Sequence, residues 1–216
     1  DAVTAAKVAS GSLLVTADGQ YNTVVGTNAG DSFTGTDAIQ NTLLGYNAGT
    51  AITTGDKNTA VGAYCFDGGT TGSNNTAVGF GTLSAANTGD ANTALGTEAL
   101  NVNTSGYNNT AVGYQALEAN TTGANNNATG AYSLENNTTG DKNNAFGANA
   151  LEENTTGDEN TAIGSRALQS NTTASYNTAV GRDSLKENTT GTQNTAVGKD
   201  ALKDNTTTSA CTAVGY

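Results

Sequence analysis

The side chains here with chemistry to offer are mostly carboxylates, and some stand in adjacent pairs, Glu152 with Glu153 and Asp158 with Glu159. Two carboxylates flanking a glycosidic bond can divide acid and base work between them. These pairs lie in stretches of Asn, Thr and Gly, the composition of solvated turns, where acids act as solubilising surface. There is no His, so the commonest general base and metal ligand is missing. No glycine-rich loop leads into a Lys and a hydroxyl residue to cradle phosphate. Glu118, Glu135 and Glu152 recur at a fixed spacing and could offer hard oxygens to Ca²⁺, yet the same column reads as a hydrated edge. The expectation is a non-enzymatic chain with no catalytic residue, no cofactor and no metal site.

The fixed spacing governs the rest of the chain. A glycine returns every 17 residues, at Gly45, Gly62, Gly79, Gly96, Gly113, Gly130, Gly147, Gly164, Gly181, Gly198 and Gly215. With that glycine as position 1, the chain reads G-x-x-A-L-x-x-N-T-T-G-x-x-N-T-A-V through ten full copies from Gly45 to Val214. Position 16 is Ala throughout, and position 17 is apolar except at Thr129. Position 5 is Leu from Leu83 to Leu202, preceded by Gly49 and Phe66. An earlier phrase ending at Gly26 lies 19 residues before Gly45. The chain divides into a non-repeating N-terminal segment, 1–20, expected as a cap or an exchanged strand, and a β-solenoid repeat domain, 21–216.

A unit this short excludes helical repeats and propeller blades, which need about 30 to 50 residues, and leaves the coil of a β-helix or roll. Paired glycines and runs of Asn and Thr also disfavour helix. The expected fold is all-β: a β-solenoid, as β-roll or parallel β-helix, of about ten 17-residue coils. Thr-Ala-Val is expected as one strand and the Ala-Leu segment as a second, with Asn-Thr-Thr-Gly turning between them and Gly at position 11 taking φ > 0. Coils about 4.8 Å apart would give a rod of roughly 50 Å.

Stacking turns each position into a ladder. Ala at 16, Val at 17 and Leu at 5 are expected inside, and Asn at 14, from Asn58 to Asn194, is expected to bond layer to layer. The many Asn-x-Thr triplets, Asn120-Thr121-Thr122 among them, also match glycan acceptors, although the repeat alone generates them. Cys65 stands at position 4 and Cys211 at position 14, roughly 40 Å apart in such a rod, which forbids an intramolecular disulfide.

The net charge is −11, unevenly spread: residues 1–159 hold 3 basic and 15 acidic groups, and residues 160–216 hold 5 and 4. An acidic rod repels nucleic acid and anionic membranes. Arg182-Asp183, Lys186-Glu187, Lys199-Asp200 and Lys203-Asp204 read as local charge balancing. No segment approaches the roughly 20 apolar residues of a membrane-spanning helix. The chain opens at Asp1 and stops at Tyr216 just after a strand, which reads as a processed product or fragment whose uncapped end is a template for another coil.

The phrase Asn-Thr-Ala-Val-Gly-x-x-Ala-Leu, at Asn109 to Leu117 and, with Ile163 for Val, at Asn160 to Leu168, resembles the head repeats of YadA-like trimeric autotransporter adhesins and the repeats of bacteriophage tail fibres. The resemblance runs over about residues 22–216, with a longer turn than the family's. It implies a β-roll commonly assembled as a parallel trimer on the outside of a cell or virion and used for attachment.

The expected function is an extracellular adhesive or structural fibre that assembles as a homotrimer or head-to-tail polymer. Its partners would be itself and a host-surface receptor or glycan, without nucleic acid or membrane insertion. Tyr64, Phe66, Asp67 and Tyr107, where the columns break, are the candidate receptor contacts. Leu13, Leu14, Val15, Cys211, Val214 and Tyr216 are the candidate assembly residues. Two alternatives stand beside it: a self-polymerising filament joined through its ends, and an ice-binding solenoid using Thr at positions 9, 10 and 15.

Overall fold

The computed structural model describes residues 20–33 and 37–216. Their strands form one parallel sheet of twelve, each three residues long and paired with its sequence neighbours. In chain order they are β1 (Thr23–Val25), β2 (Thr42–Leu44), β3 (Thr59–Val61), β4 (Thr76–Val78), β5 (Thr93–Leu95), β6 (Thr110–Val112), β7 (Asn127–Thr129), β8 (Asn144–Phe146), β9 (Thr161–Ile163), β10 (Thr178–Val180), β11 (Thr195–Val197) and β12 (Thr212–Val214). Like pairs with like: Ala111 faces Ala94 on one side and Ala128 on the other. The architecture is the β-solenoid expected from the period. Its first turn, β1 to β2, has the longer register, Thr23 against Thr42.

Each coil contains one strand, not two. Where the Ala-Leu segment was expected to extend, the chain folds back through successive tight turns: Ala116 N–H donates to Gly113 C=O at 3.5 Å and Asn120 N–H to Leu117 C=O at 3.2 Å. Residues at positions 3 and 5 take left-handed backbone, as at Gln115 (φ 52) and Leu117 (φ 53), which no strand accommodates. A left-handed Leu costs about 1–2 kcal/mol. Burying its side chain returns about 1.5–3 kcal/mol, and Leu117 is fully buried. Core filling therefore outweighs backbone strain in coil after coil.

Glycine at position 1 is required twice over. Gly113 has φ 142, and a Cβ there would lie 2.5 Å from the carbonyl oxygen of Gly130 in the next coil. Gly at position 11 has a different reason from the one expected. Gly123 has no positive φ, but a Cβ on it would meet Asn120 Oδ1 at 2.5 Å and Gly140 O at 2.6 Å. The left-handed residue of that corner is position 13, as at Asn125 (φ 60).

The interior is a thin seam of Ala at 16, a small residue at 4 and Leu at 5. Where the pattern breaks, volume is conserved. Gly49 at position 5 is offset by Leu43 at position 16 and Ile52 at position 8, both buried. Phe66 at position 5 is offset by Gly69 at position 8, whose absent Cβ would meet Phe66 Cζ at 2.5 Å.

Val at position 17 does not belong to that seam, contrary to expectation. A strand alternates faces, so burying Ala at 16 turns positions 15 and 17 outward. Leu44, Leu95, Phe146, Ile163 and Val197 are all exposed.

Candidate functional site

In each coil from the one that begins at Gly79 to the one that begins at Gly181, two buried asparagines fix the surface that the rod presents. At position 14 the side chain clasps the following coil: Asn109 Oδ1 accepts Asn126 N–H at 2.9 Å, and Asn109 Nδ2 donates to Gly123 C=O at 2.8 Å. This column bonds mainly side chain to backbone, with amide-to-amide contacts added where Asn160 Nδ2 donates to Asn143 Oδ1 at 3.1 Å and Asn177 Nδ2 to Asn160 Oδ1 at 3.3 Å. The amide ladder runs through position 8, which sequence reasoning missed. Asn120 Nδ2 donates to Asn103 Oδ1 at 2.7 Å, Asn137 to Asn120 at 2.9 Å and Asn154 to Asn137 at 2.8 Å. It continues through Asn171 and Asn188 to Asn205. Every coil from Asn103 to Asn205 carries this Asn, an unbroken run that is the signal that could have revealed it.

The ladder starts at Asn87, which stands at position 9 and accepts from Asn103 at 3.0 Å. The coil before it holds Gly69 and Thr70, and Asn87 Nδ2 finds no partner among the described residues. The position 8 asparagines are the glycan-acceptor triplets noted in the sequence. They are fully buried from Asn103 to Asn188, with each amide nitrogen engaged, so these asparagines cannot take a sugar in the folded rod. Asn74, Asn108 and Asn136, which also head Asn-x-Thr triplets, are exposed.

The carboxylates are mostly engaged between coils. Position 12 accepts the backbone N–H of the preceding coil: Asp158 Oδ1 takes Asp141 N–H at 2.7 Å, and Asp141 Oδ1 takes Ala124 N–H at 2.7 Å. Glu159 pairs with Lys142 at 3.3 Å. Glu152 accepts from Gln169 at 2.6 Å and Asn149 at 3.0 Å. Glu118 and Glu135 are pushed above the usual carboxylate range by partial burial and then by neighbouring glutamates. Among the described residues no three His, Cys, Asp or Glu side chains gather where they could hold a metal.

The candidate receptor contacts do not form one cluster. Phe66 is 1% exposed and belongs to the core, because it replaces Leu at position 5. Tyr64 is exposed at position 3 and packs edge-on between Tyr46 (5.3 Å) and Phe80 (5.8 Å). Asp67 is half-buried, with its pKa raised by desolvation. Tyr107 is exposed at position 12, where other coils carry Asp, Ser, Ala or Thr, and lies apart from that aromatic row. Tyr114 and Tyr132 form a second edge-on pair at 5.3 Å.

Of the candidate assembly residues, Leu13, Leu14 and Val15 lie outside the described residues. Val214 and Tyr216 are exposed, and Tyr216 places its ring 4.4 Å beneath Lys199 Nζ. Cys211 is half-buried and passes its N–H to Asn194 Oδ1 at 2.9 Å. Cys65 is buried with its thiol 3.1 Å from Ala77 C=O, and burial pushes its pKa up to about 12. Both cysteines are free.

The surface least explained by coil stacking is thus the outward face of the sheet. It carries Thr at position 15 and an aliphatic or aromatic side chain at position 17 over nearly its whole length, with aromatic residues at positions 2 and 3. No protein-family model, curated protein or solved structure matches the chain. Among the described residues no helix is long and apolar enough to cross a membrane.

Proposed function

We propose that this chain is a segment of an extracellular structural fibre that associates side by side with copies of itself and serves attachment at a cell or virion surface. One observation carries the reading: the apolar column at position 17, from Val25 to Val214, faces outward and is interrupted only by Thr129. A contiguous apolar strip of that length on a soluble surface marks an interaction site. A strictly periodic strip fits a partner of the same period, and the chain's own copies have it. Nearly every other column is occupied by coil-to-coil bonding, which leaves a scaffold built for length. The likeness of the Asn-Thr-Ala-Val-Gly phrase to autotransporter heads and tail fibres points the same way.

The test is sedimentation velocity over a concentration series, with electron microscopy of the same samples. The expected result is a discrete multimer of side-by-side rods that Leu95→Thr, Phe146→Thr and Ile163→Thr together return to monomer, with the circular dichroism unchanged. Long threads unaffected by the triple variant would favour end-to-end polymerisation. A monomer at all concentrations would overturn the assembly reading.

The ice-binding alternative draws on the same sheet face, where Thr hydroxyls at position 15 recur in register, interrupted by Asn127 and Asn144, beside branched methyls. Position 9 contributes little, since its hydroxyls donate to carbonyls of the next coil, as Thr121 does to Thr138 at 2.9 Å. Thermal hysteresis of the purified protein decides it.

A further inference from the structure

Five of the eight basic residues in this acidic chain gather in one place. Arg166, Arg182, Lys186, Lys199 and Lys203 line a recess of about 220 Å³ on the outer side of the coils that begin at Gly164, Gly181 and Gly198. They occupy positions 2, 3 and 6. Upstream, position 6 carries Glu118, Glu135 and Glu152, then Gln169, so one face of the rod reverses sign along its length.

Two aspartates share the recess but do not neutralise it. Asp183 is held by both guanidinium groups: Arg166 Nε lies 2.8 Å from Oδ1 and Nη2 3.0 Å from Oδ2, and Arg182 Nε lies 3.0 Å from Oδ2. A single buried carboxylate thus fixes two cations and leaves the Arg182 terminal nitrogens unbonded among the described residues. Lys199 is placed by Asp200 at 2.7 Å, and Lys186 by Glu187 at 2.5 Å. Lys203, expected to balance Asp204, makes no ion pair or side-chain hydrogen bond with any described residue. Two carboxylates in the recess, with Glu187 beside it, leave an excess of positive charge around an open volume.

The geometry points to a binding site for a tetrahedral oxyanion, sulfate or phosphate, free or as an ester. Such a group takes several N–H donors at once from planar guanidinium and point-charge ammonium groups. The acidic face upstream repels anions and directs them to these last coils. The site stands whether or not the rods assemble.

The test follows backbone amide shifts of the full chain at low salt during titration with inorganic sulfate and inorganic phosphate. A sulfated disaccharide and a sugar phosphate serve as ester arms that identify the source. Saturable shifts confined to about residues 164–204 are expected, weakening as NaCl rises toward 0.1 M, where the screening length is about 10 Å. Lys203→Gln removes a cation that makes no ion pair or side-chain hydrogen bond with a described residue, so it should leave the melting temperature nearly unchanged while weakening sulfate about threefold. Lys203→Gln combined with Arg182→Gln should abolish saturation, and Lys142→Gln, elsewhere on the rod, should change nothing. Shifts that never saturate, that spread along the rod, or that survive the double variant would overturn the site.

Discussion

The Phe66 ring occupies the space that a side chain on Gly69 would need, with Cζ 2.5 Å from where the Cβ would stand. The two residues are one exchange: every later coil has Leu at position 5, and from Asn103 onward Asn at position 8. Gly69→Asn alone should overpack the seam and cost about 1–3 kcal/mol. Adding Phe66→Leu should recover most of that and extend the amide ladder by a coil. Urea unfolding of both single variants and the double variant measures the coupling, and additive losses would show the two sites to be independent.

The amide ladder makes position 8 intolerant of charge. Asn137 donates to Asn120 and to Gly140 C=O and accepts from Asn154. Asn137→Asp strips the donors and buries an anion, so a loss of about 3 kcal/mol or more is expected at pH 7. Part should return as the pH falls below the carboxylate range. Asn108→Asp, at exposed position 13, should stay within about 0.5 kcal/mol. Equal losses at the two positions would contradict the ladder.

The stacked glutamates destabilise the rod at neutral pH. Burial and then neighbouring glutamates hold Glu118 and Glu135 above their usual value of 4.5 in the folded state. The folded chain therefore keeps protons that the unfolded chain releases, and stability falls as pH rises through the glutamate range. Glu118→Gln with Glu135→Gln should raise stability at pH 7 by about 0.5 kcal/mol, given the exposure of both groups, and change little below pH 4. Thermal melts at pH 3.5 and 7 read the difference.

The two thiols should separate by accessibility. With its pKa pushed up to about 12 and its side chain fully buried, Cys65 should resist iodoacetamide until the coil opens. Half-buried Cys211 should label in the folded protein. Mass spectrometry before and after denaturation should find one label and then two. Rapid labelling of Cys65 would mean that its coil opens readily.

The period made the strands legible because Ala at position 16 marks each one from β3 to β12, and small side chains in successive layers suit in-register stacking. The return path was harder. Leu117 looks like a strand residue by composition, and its left-handed backbone follows only from closing a short coil around a seam too narrow for two strands. Val at 17 looks inward because it is apolar, yet the alternation of a three-residue strand around Ala turns it outward. Phe66 looks like a surface contact because it breaks its column, whereas the break is a packing exchange with Gly69. Asn at 8 looks solvated because it lies in a polar Thr-Gly turn, and its burial with closed amide bonding emerges only when coils stack. The recess at Lys203 needed three coils in place before its charge excess showed.

Like-to-like pairing of the buried columns has a genetic consequence. Removing or duplicating one 17-residue unit between Gly113 and Gly198 joins Asn to Asn, Ala to Ala and Leu to Leu, and each unit touches only its neighbours. Recombination between near-identical repeats can then shorten or lengthen the molecule in steps of about 4.8 Å without a new fold to discover. The rod is a ruler whose graduations are heritable, so its reach can evolve separately from whatever it carries at its ends.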